Sequence, residues 1–230
     1  MFGLTPLEAG IWTMPWALTF VVGTFATSLI TRWVRPTVVM AGGLVVAAAG
    51  FLLLTQVDVA TGLGTLVSAS VVVALGLAPV FTLATDQVIG SAPVERAGAA
   101  AALSETSSEF GGALGIAILG SVGAAVYRTR VTDARPTSVA PEFAAAARNT
   151  LAGAVAVADQ LPGAVRAEVL DAARQAFAQA FDVTAVLTAA IAVFTAAMVV
   201  MISRDDSADD RSPSAQPALA TAAADCDQPA

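Results

Sequence analysis

Apolar residues are gathered along this chain into long blocks, each near the roughly 20 residues a helix needs to cross a bilayer. Residues 9–31, 37–55, 64–90, 97–127 and 181–202 form such blocks. The link between the first two holds only Arg32, Trp33, Val34, Arg35 and Pro36, too short for anything but an antiparallel helix pair. A polar break over residues 56–62, with Asp58, sets off the third block. The hexapeptide SAPVER at 91–96 ties the third tightly to the fourth. The pattern predicts an all-α membrane protein with transmembrane helices at about 9–31, 37–55, 64–90, 97–127 and 181–202.

The long polar interval at 128–180 reads differently. Its strings PEFAAAARNTLAGAVAVADQ and PGAVRAEVLDAARQAFAQ are alanine-rich with scattered charges and are interrupted at Leu161, Pro162 and Gly163. That composition predicts two short amphipathic helices forming a hairpin before the last span. Residues 203–230 are rich in Asp, Ser, Pro and Ala, too poor in apolar surface to order themselves, and are expected to be a disordered acidic tail.

Arginine placement orients the spans. Arg32, Arg35 and Arg96 in short connections lie on the same side as Arg204 and Arg211, whereas the 56–62 break carries no base. Short loops rich in Arg stay cytoplasmic, which places the C-terminus in the cytoplasm and the hairpin outside, in a plasma (inner) membrane. The interval 128–180 also holds Arg128, Arg130, Arg135, Arg148, Arg166 and Arg174, but long segments translocate with less regard to charge.

Composition agrees with a membrane setting and removes most catalytic chemistry. Charged residues make up 13% of the 230, about half the share of a soluble domain. The net charge of −7 is concentrated in the tail, at Asp205, Asp206, Asp209, Asp210, Asp225 and Asp227, so a nucleic-acid partner is not expected. The chain has no histidine, its 11 basic residues are all arginine, and Cys226 is its one cysteine. His-based metal sites, His-dependent triads, Schiff bases and intramolecular disulfides are therefore excluded. No enzyme activity, cofactor or metal is expected.

The fourth block carries the candidate chemistry. Glu105 and Glu109 stand in AGAAAALSETSSEFGGALGIAILGSVGAAVY, where a carboxylate in hydrocarbon is costly unless paired, protonated or facing water. Four residues apart, they share a helix face, an arrangement suited to a proton acceptor or a cation seat. The block would be about 46 Å long, roughly 15 Å more than the hydrocarbon core. The excess places Glu105 toward the cytoplasmic boundary and Glu109 deeper, making Glu109 the stronger candidate; a solvated helix start is the competing reading. Gly111, Gly112, Gly115 and Gly120, with Ser104, Ser108 and Ser121, make this helix thin on one side and are expected to pack against a helix of the same chain ahead of a second copy. Asp86, near the inner end of the third span, is either a helix-end partner for Arg96 or a second acid in the same route. Pro79 would kink that span, a feature that serves gating in transporters and also occurs in static bundles. Trp12 and Trp16, one turn apart, fit an interfacial belt or an aromatic wall for a cationic ligand.

The strings GIWTMPWAL at 10–18, APVFTLATDQVIGSAPVERAGAAAALSETSSEFGGALGIAILGSV at 78–122, QLPGAV at 160–165 and ARQAF at 173–177 together resemble the C-terminal part of a major facilitator superfamily transporter. The closest pattern is that of the fourteen-helix drug:proton antiporters that export multidrug and quaternary-ammonium compounds. The resemblance covers about 5–202 and implies that the spans are helices ten to fourteen of a C-terminal bundle, with the hairpin an extracellular insertion before the last. It further implies alternating access between two bundles, exchange of lipophilic or cationic compounds for protons, and proton-coupling roles for Glu105 and Glu109. The 32–36 link resembles, weakly, the basic cytoplasmic loop motif of that family. No Asp or Glu occurs between Glu8 and Asp58, so an acid some relatives carry in the first of these helices has no counterpart.

The expectation is thus the C-terminal half, as a fragment, of a proton-coupled drug antiporter. Its partners would be the lipid bilayer, protons, small lipophilic or cationic compounds, and the N-terminal bundle this sequence lacks. The alternative is a small non-transporting membrane protein that packs against other helices through its glycine-rich faces.

Overall fold

A proline–threonine–glutamate signature starts the first helix. In the computed structural model, which describes residues 5–57, 62–134 and 150–209, α1 spans Pro6–Ile30. The Thr5 N–H donates to the Glu8 carboxylate at 2.8 Å and the Glu8 N–H donates to Thr5 Oγ1 at 3.3 Å. This capping box, with Pro6 in the first turn, satisfies orphan donors of the helix start and carries the helix slightly ahead of residue 9. The helix α2 spans Pro36–Leu54, again with proline at its start. Next come α3, Gly62–Gly90, a 3₁₀ turn at Val94–Arg96, and α4, Ala97–Ala134. A short α5, Leu151–Ala158, and a long α6, Gly163–Asp209, complete the order. Among the described residues there is no strand, and five helices are long and apolar enough to cross a membrane.

The interval expected to form a separate hairpin is organised otherwise. Its first described part continues α4 to Ala134, and its last part is the beginning of α6, which runs 47 residues without interruption. At 1.5 Å per residue α6 is about 70 Å long, over twice the hydrocarbon thickness. After Gly163 no Gly or Pro occurs before the end of α6, so nothing breaks the backbone where the side chains change from mixed to apolar. The break at 161–163 and the helices on either side of it behave as the sequence predicts, with Ala154 of α5 packed on Ala173 of α6. There Thr150 caps α5 by accepting from the Gly153 N–H at 3.0 Å, and Asp159 pairs with Arg166 across the turn at 2.8 Å. Helix α6 also takes in 203–209, the start of the segment expected to be disordered; 210–230 lie outside the described residues.

Helix α2 sits between α3 and α6, α1 packs on α3, and α4 packs on α6 and, more lightly, on α3. The α2–α3 contact is the tightest. A Cβ added at Gly43 would stand 2.6 Å from the Gly76 carbonyl oxygen and 2.8 Å from Cγ of Pro79; one added at Gly50 would stand 2.7 Å from Val73. A Cβ at Gly76 would run into the Ala47 backbone. The same logic joins α1 to α3, where a Cβ on Gly23 would lie 2.8 Å from Cβ of Ala78. In lipid, where apolar surface gains little by leaving the solvent, such small-residue contacts let dispersion hold helices together.

Helix α6 uses alanine in the same way. Ala173, Ala176, Ala180, Ala185, Ala189, Ala192 and Ala196 are all buried, at spacings of three to five residues that keep to one side of the helix. Its upper half packs Ala189, Ala192 and Ala196 on Leu44 and Ala48 of α2, and its lower half packs Ala176 and Ala180 on Tyr127 and Val131 of α4.

Hydroxyls within the bundle return to their own backbones. Thr27, 2% exposed, donates to the Gly23 carbonyl at 2.7 Å, and Thr19, Thr24, Ser70, Thr82 and Thr188 donate likewise to the carbonyl four residues earlier. This is how polar side chains avoid an unsatisfied group in hydrocarbon.

Two measurements test this architecture. Gly76→Val is expected to destabilise the chain by about 1–3 kcal/mol or more in a reversible unfolding titration in detergent micelles, while Gly112→Ala, at an open position, is expected to be neutral or slightly stabilising. Spin labels at Arg166 and Arg204 should lie about 57 Å apart if α6 is continuous; a distance well under 45 Å would mean that the hairpin helix and the last span are separate.

Candidate functional site

Both glutamates fall on the first third of α4, within one continuous helix. Glu105 and Glu109 are exposed, with Leu103 and Phe110 beside them 66% and 65% exposed. Among the described residues neither carboxylate has an ion-pair or hydrogen-bond partner. The i, i+4 spacing puts them on one face, and Ser104 and Ser108 lie alongside. Among the described residues no other helix covers that face.

The glycines that follow continue the same open surface. A Cβ built at Gly111, Gly112, Gly115 or Gly120 would meet nothing within 4 Å, so the packing expected of them inside the chain does not occur among the described residues. The glycines that do make close contacts are Gly23, Gly43, Gly50 and Gly76, with Gly123 of α4 near Thr184 of α6, none of them among the glycines expected to pack. The physical difference lies in neighbours: α2 and α3 are adjacent over most of their length, whereas α4 meets α6 mainly through its last turns, around Gly123, Tyr127 and Val131.

Asp86 is exposed near the C-terminus of α3 and makes no ion pair with Arg96 among the described residues. The short connection 91–96 keeps Asp86 at the same end of the bundle as Glu105, since α3 ends and α4 begins there. Three carboxylates therefore lie toward one end, on α3 and α4, with no contact between the helices' acids.

Trp12 and Trp16 lie in the first half of α1. Both are 43% exposed. Trp16 stacks on Phe20 at 5.9 Å between ring centroids, and Phe20 meets Phe81 of α3 edge-on at 6.1 Å. The row thus runs from exposed Trp16 into the α1–α3 contact and ties α1 to its neighbour. Pro79 is buried in the α2–α3 contact, its ring against Gly43. Its place is a packed seam, not a cavity wall. The acids, the tryptophans and the proline are accordingly three separate features.

Two curated proteins are similar over nearly the whole chain. It is 35% identical over 199 residues to the multidrug efflux pump LfrA of Mycolicibacterium smegmatis, covering 86% of this chain and 39% of that protein. It is 28% identical over 226 residues to the tetracenomycin C resistance and export protein of Streptomyces glaucescens, covering 96% of this chain and 42% of that one. No protein-family model matches. The chain is a relative of drug-efflux and drug-export proteins and spans about two fifths of their length. Its five long apolar helices and these relatives make it a multi-pass membrane protein.

The aromatic row gives a direct test. Phe20→Ala removes both ring contacts and is expected to cost about 1–2 kcal/mol in detergent unfolding, with a change in Trp16 emission. Phe25→Ala, at a ring 75% exposed, should change neither. Equal stability of the two variants would show that the row does not hold α1 in place.

Proposed function

We propose that this chain supplies the C-terminal bundle of a proton-coupled antiporter of the major facilitator superfamily, one that exports lipophilic or cationic drugs by alternating access. The observation that carries the reading is the face of α4: two carboxylates one turn apart, followed by Gly111, Gly112 and Gly115, all open to the outside of this chain. A charged, thin helix face has no place against lipid tails, where each uncompensated carboxylate costs several kcal/mol. It does suit a water-containing cleft against a second bundle, and the chain spans only about two fifths of its drug-exporting relatives.

In this reading Glu109, deeper along α4, takes up and releases the coupling proton. Glu105 and Asp86, nearer the helix ends, attract cations and protons toward it. The glycine face lets α4 approach and slide against the partner bundle as the cleft changes from inward to outward access. The C-terminal tail is cytoplasmic, and the connection preceding α6 is external. The open glycine face also suits the alternative of a non-transporting protein docked on other helices, and export activity separates the two.

The test places substitutions in the complete protein that carries this segment and measures dye export driven by a pH gradient in everted vesicles. Glu109→Gln is expected to lower export at least roughly tenfold with unchanged membrane abundance, and Glu105→Gln to lower it less. Normal export by Glu109→Gln would remove the coupling role.

A further inference from the structure

At the end of the bundle away from the acids, α2, α4, α5 and α6 enclose a partly open cavity of about 490 Å³. That lies within the roughly 300–1,000 Å³ of ordinary small-molecule sites. Four aromatic rings line it: Phe51 from the last turn of α2, Tyr127 from α4, and Phe177 and Phe181 from α6. Glu105, Glu109 and Asp86 are not part of its wall, and Leu119, its first wall residue on α4, lies about 15 Å along the helix from Glu109.

The wall carries no charged side chain. Its threonines are already engaged. Thr184 Oγ1 donates to the Phe181 carbonyl at 2.8 Å, Thr188 Oγ1 donates to the Thr184 carbonyl at 2.7 Å, and Thr150 Oγ1 accepts the Gly153 N–H as the cap of α5. With their hydrogens directed to the backbone, Thr184 and Thr188 have no hydroxyl donor left for a guest. The wall thus offers an ion no charged partner of its own, and the hydroxyls of Thr184 and Thr188 are already spent on the backbone.

We propose that this cavity binds an uncharged hydrophobic molecule, an acyl chain or a small aromatic compound, at a site separate from the acidic face of α4. Aromatic walls give such a guest dispersion contacts that lipid tails match poorly. The cavity also lies where α2 ends and where α4 and α6 pass from apolar into mixed sequence, a depth that molecules partitioned into the bilayer reach. The inference does not depend on whether the chain transports.

The experiment uses the chain reconstituted in phosphatidylcholine nanodiscs and two photoactivatable probes, with labelled residues located by mass spectrometry. One probe is 3-trifluoromethyl-3-phenyldiazirine, a neutral aromatic compound; the other is a phosphatidylcholine with a diazirine in its acyl chain. Saturable labelling around Phe51, Tyr127 and 177–188 by the aromatic probe alone assigns the site to free lipophilic compounds. Saturable labelling there by the lipid probe, competed by the unlabelled aromatic compound, assigns it to acyl chains. In Gly120→Phe the added ring enters the cavity wall where a Cβ meets nothing within 4 Å, and cavity labelling is expected to fall about fivefold while labelling of exposed α1 residues such as Phe25 persists. Phe177→Ala, which removes a wall ring without adding bulk, is expected to weaken saturable labelling as well and guards against misfolding of the first variant. Unsaturable labelling at the level of Phe25, or cavity labelling unchanged in both variants, overturns the proposal.

Discussion

The backbone-to-backbone approach of α2 and α3 is the contact on which the rest of the bundle is arranged. Gly43, Gly50 and Gly76 leave no room for a Cβ, and Pro79 fills the remaining space against Gly43. Helices in lipid gain little from burying apolar side chains, so closeness itself, and the dispersion contacts it allows, must supply the attraction. With α2 and α3 held together, α3 offers Ala78 to Gly23 of α1, and α2 offers Leu44 and Ala48 to the alanine seam of α6. Each further helix is attached through small residues to a pair already in contact.

The bundle divides into packed and open surfaces. Helices α2, α3 and α6 hold most of the buried residues, whereas the first two thirds of α4 present Leu103, Phe110, Ile116 and Ile118 to the outside together with both glutamates. An exposed apolar residue on a membrane helix needs no explanation, since lipid covers it. A carboxylate pair on the same stretch does, because lipid stabilises neither charge. The acidic face and the aromatic cavity therefore differ in kind: one is polar and uncovered, the other apolar, partly enclosed and distant along the same helix.

Much of this was legible from residue order. The five spans and the break at 161–163 follow from block length and from Gly and Pro placement, and the structure has five helices long and apolar enough to cross a membrane and a break at 161–163. Helix α1 begins a few residues ahead of the apolar block, because the capping box at Thr5 and Glu8 adds helix that does not look hydrophobic. The residue pattern predicts a boundary between the hairpin and the last span because the side chains change character near residue 181. A helix backbone does not respond to that change; only Gly, Pro or competing side-chain hydrogen bonds would have ended it.

Block length, charge content and the missing histidine and lysine thus determined by themselves that this is a helical membrane protein with acids on its fourth span, because hydrocarbon permits only helices whose backbone bonds are closed internally. Which glycines pack could not be read the same way. A GxxxG pair states only that a close approach is allowed, and Gly111 and Gly115 have that spacing yet stand open, while Gly43, Gly50 and Gly76 are closed by their neighbours. The same holds for the cavity, whose rings come from positions as far apart as Phe51 and Phe181. Tertiary structure decided both, since each is a property of two or more helices side by side, and a linear pattern records the face of one helix without recording what it meets.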